Sequence, residues 1–141
     1  MRRFALLLAV IVAVALLAYL RPRPTGIKLA KVSGGIGSLE GDRQVLDQMR
    51  QAGADLSKPT EVNFYLYFKD RAAAERALPE ASDGALTASV QPVANSDSWL
   101  CLVSGTLVPD EAVIHATVVR LLGLAQRYGG DYDGWEAAIT Q

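Results

Sequence analysis

The apolar and polar positions along this chain change rhythm several times, and each change marks an element. Residues 4 to 20, FALLLAVIVAVALLAYL, are uncharged throughout. At about 1.5 Å per residue the run is just long enough to cross a bilayer core. The next rhythm begins after Gly41. Val45, Leu46, Met49 and Ala52 recur with helical spacing, with Asp42 as a candidate cap and Gly53 at the C-terminal end. EVNFYLYF then alternates: Val62, Phe64, Leu66 and Phe68 fall on one face, and Asn63, Tyr65 and Tyr67 on the other. That is a strand with one buried face.

Asp70 is placed to cap a second helix, RAAAERAL, which Pro79 should bend or stop. ALTASVQPV alternates again, NSDS makes a turn, and WLCLVSGTL runs back as a more buried strand, so the pair predicts a hairpin. Pro109 and Asp110 open the longest helix, over about residues 110 to 128. Val113, Ile114, Thr117, Val118, Leu121, Leu124, Ala125 and Tyr128 share its apolar arc, while Glu111, His115, Arg120, Gln126 and Arg127 lie off it. Gly129-Gly130 ends it. Helix, strand, helix, strand, strand, helix and a possible short strand in the tail predict an α+β domain. The plan is the split βαβ arrangement of the ferredoxin-like fold, an antiparallel sheet covered by helices.

Charge divides the chain. Residues 1 to 41 hold six basic residues and one acid, whereas residues 42 to 141 hold eight basic and fourteen acidic residues. The apolar run meets Arg21 directly, with no polar stretch of small residues for a signal peptidase, so an uncleaved N-terminal transmembrane anchor over residues 1 to 20 is expected. Arg21, Arg23, Lys28 and Lys31 outnumber Arg2 and Arg3, which favours a cytoplasmic C-terminal domain on a single-pass inner-membrane protein. Residues 21 to 41, with two prolines and five glycines, are expected to form a basic tether, with a short strand at Ile27 to Val32 as an option. Gly35, Gly37 and Gly41 are spaced one residue too far apart for a dinucleotide fingerprint. The domain proper is placed at 42 to 141. Its acidity repels nucleic acid and suits a basic protein partner.

Catalytic chemistry has little to stand on. The chain has one Cys and one His. Cys101 lies mid-strand among apolar neighbours and is expected to be a small core residue; His115 is expected to be a solvated helix residue. Ligands for zinc are lacking, and Asp131, Asp133 and Glu136 fall short of a calcium loop. No catalytic residue, metal or cofactor is assigned. Tyr65 and Tyr67, on the open face of the sheet, are the alternative binding site, because aromatics there stack bases in some RNA-binding domains. GGDYDGWEA, residues 129 to 137, is the most distinctive stretch. Trp135 and Tyr132 beside an Asp-Gly turn are expected to be mainly a packing device, and a docking role stays open.

The same residues carry a family resemblance. IHATVVRLLGLAQRYGGDYDGWEA resembles the C-terminal signature of the RraB family, the regulators of ribonuclease activity B, in which an amphipathic helix runs into Tyr-Asp-Gly-Trp. VLDQMRQAGADLSKPTEVNFYLYFKDRAAAERA resembles its opening. The resemblance covers about residues 42 to 141 and implies a ferredoxin-like domain that is not an enzyme. It also implies binding to ribonuclease E and a change in that enzyme's action on RNA. Tyr132, Asp133, Gly134 and Trp135 match the family motif position by position. Glu136 departs from it, where a second Gly is common, and the acidic extension of some members does not follow before Gln141. The expectation is a membrane-tethered regulator acting by protein–protein binding, with ribonuclease E or a related basic scaffold as partner. An RNA-binding sheet and an envelope-side binding module stay open as alternatives.

Overall fold

A computed structural model of the chain describes residues 35–141. The apolar run at 4 to 20, most of the tether and the optional strand at 27 to 32 lie outside the described residues. No helix among the described residues is long and apolar enough to cross a membrane.

Seven elements follow in order: α1 (Leu39–Gln51), β1 (Thr60–Phe68), α2 (Arg71–Ala81), β2 (Leu86–Pro92), β3 (Trp99–Leu107), α3 (Glu111–Arg127) and β4 (Asp131–Ala137). The sheet order is β2-β3-β1-β4, and every neighbouring pair is antiparallel. The domain is therefore α+β. The possible strand in the tail is present as β4, on the edge beside β1.

Local chemistry explains the boundaries. Asp70 and Asp110 cap α2 and α3 as expected: each carboxylate accepts backbone N–H bonds from the first turn of its helix. Pro79 does not stop α2 at Leu78; the helix runs on to Ala81, because a proline this near the C-terminus forfeits only one helical bond. α1 starts earlier than expected. Its cap is Ser38, whose Oγ accepts from the Gly41 N–H at 2.9 Å, so Asp42 lies inside the first turn. A Cβ on Gly41 would stand 2.2 Å from the Gly35 carbonyl oxygen, so glycine permits the incoming turn to close on the helix. Residues 35 to 41, read as the end of the tether, thus form a turn and the first residues of a helix.

One face of the sheet carries the core. Val62, Phe64, Leu66 and Phe68 from β1 meet Cys101 and Val103 from β3, Leu86 from β2, and Tyr132, Trp135 and Ala137 from β4. α2 lies over β2 and β3 through Ala73, Ala74, Ala77 and Ala81, small residues that admit close approach. α3 contributes Ile114, Val118, Leu121, Leu124 and Ala125, and α1 contributes Val45, Leu46 and Met49. The predicted arc of α3 needs one correction, since Val113 is 47% exposed. Its neighbours on the other flank, Glu111 and His115, face α1 instead. Arg43 Nε donates to Glu111 at 3.0 Å, and His115 meets Asp42.

Candidate functional site

Tyr132 and Trp135 are three residues apart, so in a regular strand they would point to opposite faces. Both are buried on the core face, at 9% and 1% exposure. A β-bulge makes this possible. Leu66 pairs with Tyr132 and Tyr65 with Gly134, leaving Asp133 as the extra residue. Gly134 carries φ +111°, a backbone conformation that L side chains rarely adopt. The Asp-Gly pair expected to make a turn is thus a bulge inside β4.

The indole of Trp135 reaches Phe64, with ring centroids 6.3 Å apart, and its Nε1–H donates to Asp42 Oδ1 at 3.0 Å. Asp42 is only 1% exposed. Its other oxygen, Oδ2, lies 2.7 Å from His115 Nδ1. A carboxylate only accepts, so Nδ1 carries the proton of this bond. One carboxylate from α1 therefore gathers β4 and α3. His115, expected to be solvated, is 29% exposed and belongs to this cluster. The Tyr132 hydroxyl is buried without a hydrogen-bond partner, and its ionisation is pushed far up by burial first, then by Asp42 and Asp133. A signal for Asp42 was present: with Val45, Leu46 and Met49 it stands at i, i+3, i+4 and i+7, on the buried stripe of its own helix.

The opposite face of the sheet is covered by no described element. By register it presents Glu61, Asn63, Tyr65 and Tyr67 from β1, Leu100, Leu102, Ser104 and Thr106 from β3, and Thr87, Ser89 and Gln91 from β2. A shallow depression of about 380 Å³ opens there, lined by Glu61, Asn63, Tyr65, Gln91, Leu102, Ser104 and Glu136. The Tyr65 hydroxyl donates to Glu136 Oε1 across the β1–β4 pair, and the Ser104 hydroxyl donates to Asn63 Oδ1 at 2.7 Å. Tyr67 shares the face but lies outside the lining, opposite Asp131. The structure therefore separates the two sets of sequence-predicted residues. Tyr132 and Trp135 go to the core, and Tyr65 goes to the open surface.

Neither place is arranged for bond-making chemistry. Cys101 is fully buried, and burial pushes its thiol up to about 11, away from the reactive thiolate. Among the described residues no group of His, Cys, Asp and Glu could hold a metal ion. The Asp42–His115 pair resembles the orienting half of a nucleophilic triad, but the indole bonds the carboxylate and not the imidazole, and among the described residues no hydroxyl or thiol bonds the His115 ring.

A comparison with curated proteins finds no match. The family described as regulator of ribonuclease activity B, RraB, matches residues 39–137. The match begins at the first residue of α1 and ends at the last residue of β4, so it spans the whole helix-and-sheet unit, including the bulge and the carboxylate that supports it. The chain belongs to the RraB family.

Proposed function

We propose that this protein is a non-enzymatic regulator of ribonuclease E-type activity that acts by protein–protein binding while tethered to the inner membrane. The match to the RraB family over residues 39–137 carries the reading. In this reading the strand order β2-β3-β1-β4 is that of a ferredoxin-like sheet, residues 42 to 141 make up most of the binding domain, and residues 21 to 41 link it to the anchor. The mechanism is occupancy. The domain docks on a basic region of the ribonuclease and alters its access to RNA. Eight basic against fourteen acidic residues in 42 to 141 favour such a partner and disfavour direct RNA binding.

In this reading the apolar run at 4 to 20 is the membrane tether, and the basic residues behind it favour the cytoplasmic side for the domain. Tethering raises the effective concentration of the domain near membrane-bound partners. The test is to add the purified full-length chain in detergent to ribonuclease E and follow both binding and cleavage of a substrate RNA. Saturable binding with a changed cleavage rate is expected. A folded chain that neither binds nor alters cleavage removes the ribonuclease reading. A reporter fused after Gln141 tests the topology: activity only on the outer side of the membrane rules out the cytoplasmic placement.

A further inference from the structure

We infer that the open face of the sheet, centred on the depression at Tyr65, is the docking site for an Arg- and Lys-rich segment of a protein partner. The inference deepens the regulatory reading and rests on it for the role of that partner.

Charge is distributed by layer. None of the four strands contains Lys, Arg or His, whereas β1 and β4 contribute Glu61, Asp131, Asp133 and Glu136. The basic residues of the domain all lie elsewhere: Arg43, Arg50, Arg71, Arg76, Arg120 and Arg127 on helices, Lys58 and Lys69 on loops. The helical layer is mixed and internally paired, as in Arg50–Asp47, Arg71–Glu75 and Arg127–Glu80. Among the described residues the sheet face carries one sign only, and that sign selects the partner.

The depression adds geometry to the charge. Glu61 at one side is exposed, and Glu136 is held by the Tyr65 hydroxyl. Tyr65 pairs with Leu102 of β3 and with Gly134 of β4, at the middle of the face. The Glu61 and Glu136 carboxylates suit guanidinium groups, whose planar N–H fork matches a carboxylate. Leu102 offers apolar surface to the aliphatic stem, and Asn63, Ser104 and Gln91 offer polar contacts to a backbone. RNA brings phosphates against these carboxylates, and a second copy paired face to face brings like charges together.

The experiment uses the full-length chain, isotope-labelled and in detergent. A fluorescent peptide of alternating Arg and Ala is the probe, with its Glu/Ala counterpart as control. Amide shifts at Asn63, Tyr65, Leu102 and Ser104 are expected with the Arg peptide alone. Glu61→Gln with Glu136→Gln keeps the hydrogen-bonding shape of both side chains. It should weaken the peptide about tenfold or more, roughly the effect of losing 1.4 kcal/mol. Asp47→Asn with Glu75→Gln removes the same charge from the helices and should change affinity less than about twofold, as expected of screened surface charges.

Equal losses in the two double variants, or shifts confined to the helices, overturn the docking face. So do the same sheet shifts with a single-stranded RNA, or a dimer whose interface is this face. Tighter peptide binding after Arg21, Arg23, Lys28 and Lys31 are changed to Gln also overturns it, since the chain's own tether would then be the occupant. Ribonuclease E is titrated in parallel. If it fails to bind while the peptide maps to the sheet, the ribonuclease reading falls and the docking face stands. If it binds and ignores Glu61→Gln with Glu136→Gln, the docking face falls and the ribonuclease reading stands.

Discussion

Replacing Trp135 by Phe tests whether the motif is an internal brace. The indole is 1% exposed and donates its N–H to a carboxylate that is itself 1% exposed. Phe keeps a ring against Phe64 but withdraws the donor. An acceptor left without that partner costs about 1–3 kcal/mol. The smaller ring gives up further buried area, on the order of 1 kcal/mol. A loss of about 2–4 kcal/mol is expected. At roughly 4–8 °C per kcal/mol for a domain near 100 residues, the melting temperature should fall by about 8–30 °C. Trp135→Ala should lose more, about 3–5 kcal/mol from the ring alone, a large part of the stability of an ordinary domain.

The double-mutant cycle with Asp42 makes the reasoning refutable. Asp42→Ala alone leaves the indole N–H buried without an acceptor, whereas the double variant with Trp135→Phe removes that orphan as well. The double variant should therefore be less destabilised than the sum of the singles, by about 1–3 kcal/mol. Urea unfolding of residues 35–141, followed by far-ultraviolet circular dichroism, measures all four corners. Additivity within about 0.5 kcal/mol means the Asp42–Trp135 contact carries no coupling energy, and the brace is refuted. Ribonuclease binding by the folded fraction of Trp135→Phe should be unchanged. A folded, stable variant that loses binding would instead make the motif a docking surface.

Gly134→Ala should destabilise the domain by about 1–3 kcal/mol, because φ +111° is strained for any residue with a Cβ; an unchanged melting temperature would exclude the strained bulge. Cys101 should resist alkylation at pH 8 in the native state and react fully in urea. Its folded value of about 11 stands above the ordinary 9.0, so the folded state favours the protonated thiol. That contribution to stability is complete below pH 9 and is lost as pH rises from 9 through 11, which a series of urea titrations would show as a falling midpoint. Arg120 donates to the carbonyls of Glu80 and Ala81 at the end of α2, at 2.7 and 3.2 Å. Arg120→Met should lower stability by about 1 kcal/mol, read as a lower urea midpoint, while keeping the aliphatic stem on the helix.

The parts of the fold that were legible in the sequence are those decided locally. The alternation of β1, the caps Asp70 and Asp110, the hairpin of β2 and β3, and the Gly129-Gly130 break each depend on neighbours in sequence. What escaped was decided by distant partners. Ser38 and Asp42 are both cap-type residues, and only the position of Trp135 and His115 makes one the cap and the other a buried acceptor. A helical wheel ranks His115 as polar but cannot say that α1 lies along that flank. Asp133-Gly134 signals a local break in extended chain, yet a turn and a bulge share that signal until β1 is seen to continue past it.

The two faces of the sheet answer to different constraints, and this separates what the motif reports from what the protein binds. On the core face Tyr132 is held by volume and Trp135 by volume and the Asp42 carboxylate, so both are bound to the fold whatever the partner. On the open face, Glu61 and Gln91 are exposed and contribute little to burial, so their chemistry is not fixed by the core. Glu136 sits at the junction: its neighbour Trp135 points inward to α1, while its own carboxylate points outward to Tyr65. A partner that gripped Glu136 would pull on the same short strand that holds α1, the helix through which the chain continues toward residues 1 to 34. Docking on the sheet and the seating of α1 thereby meet in β4. Bound peptide should slow amide exchange in α1 as well as on the sheet face. Protection confined to the sheet would show that the two faces act independently.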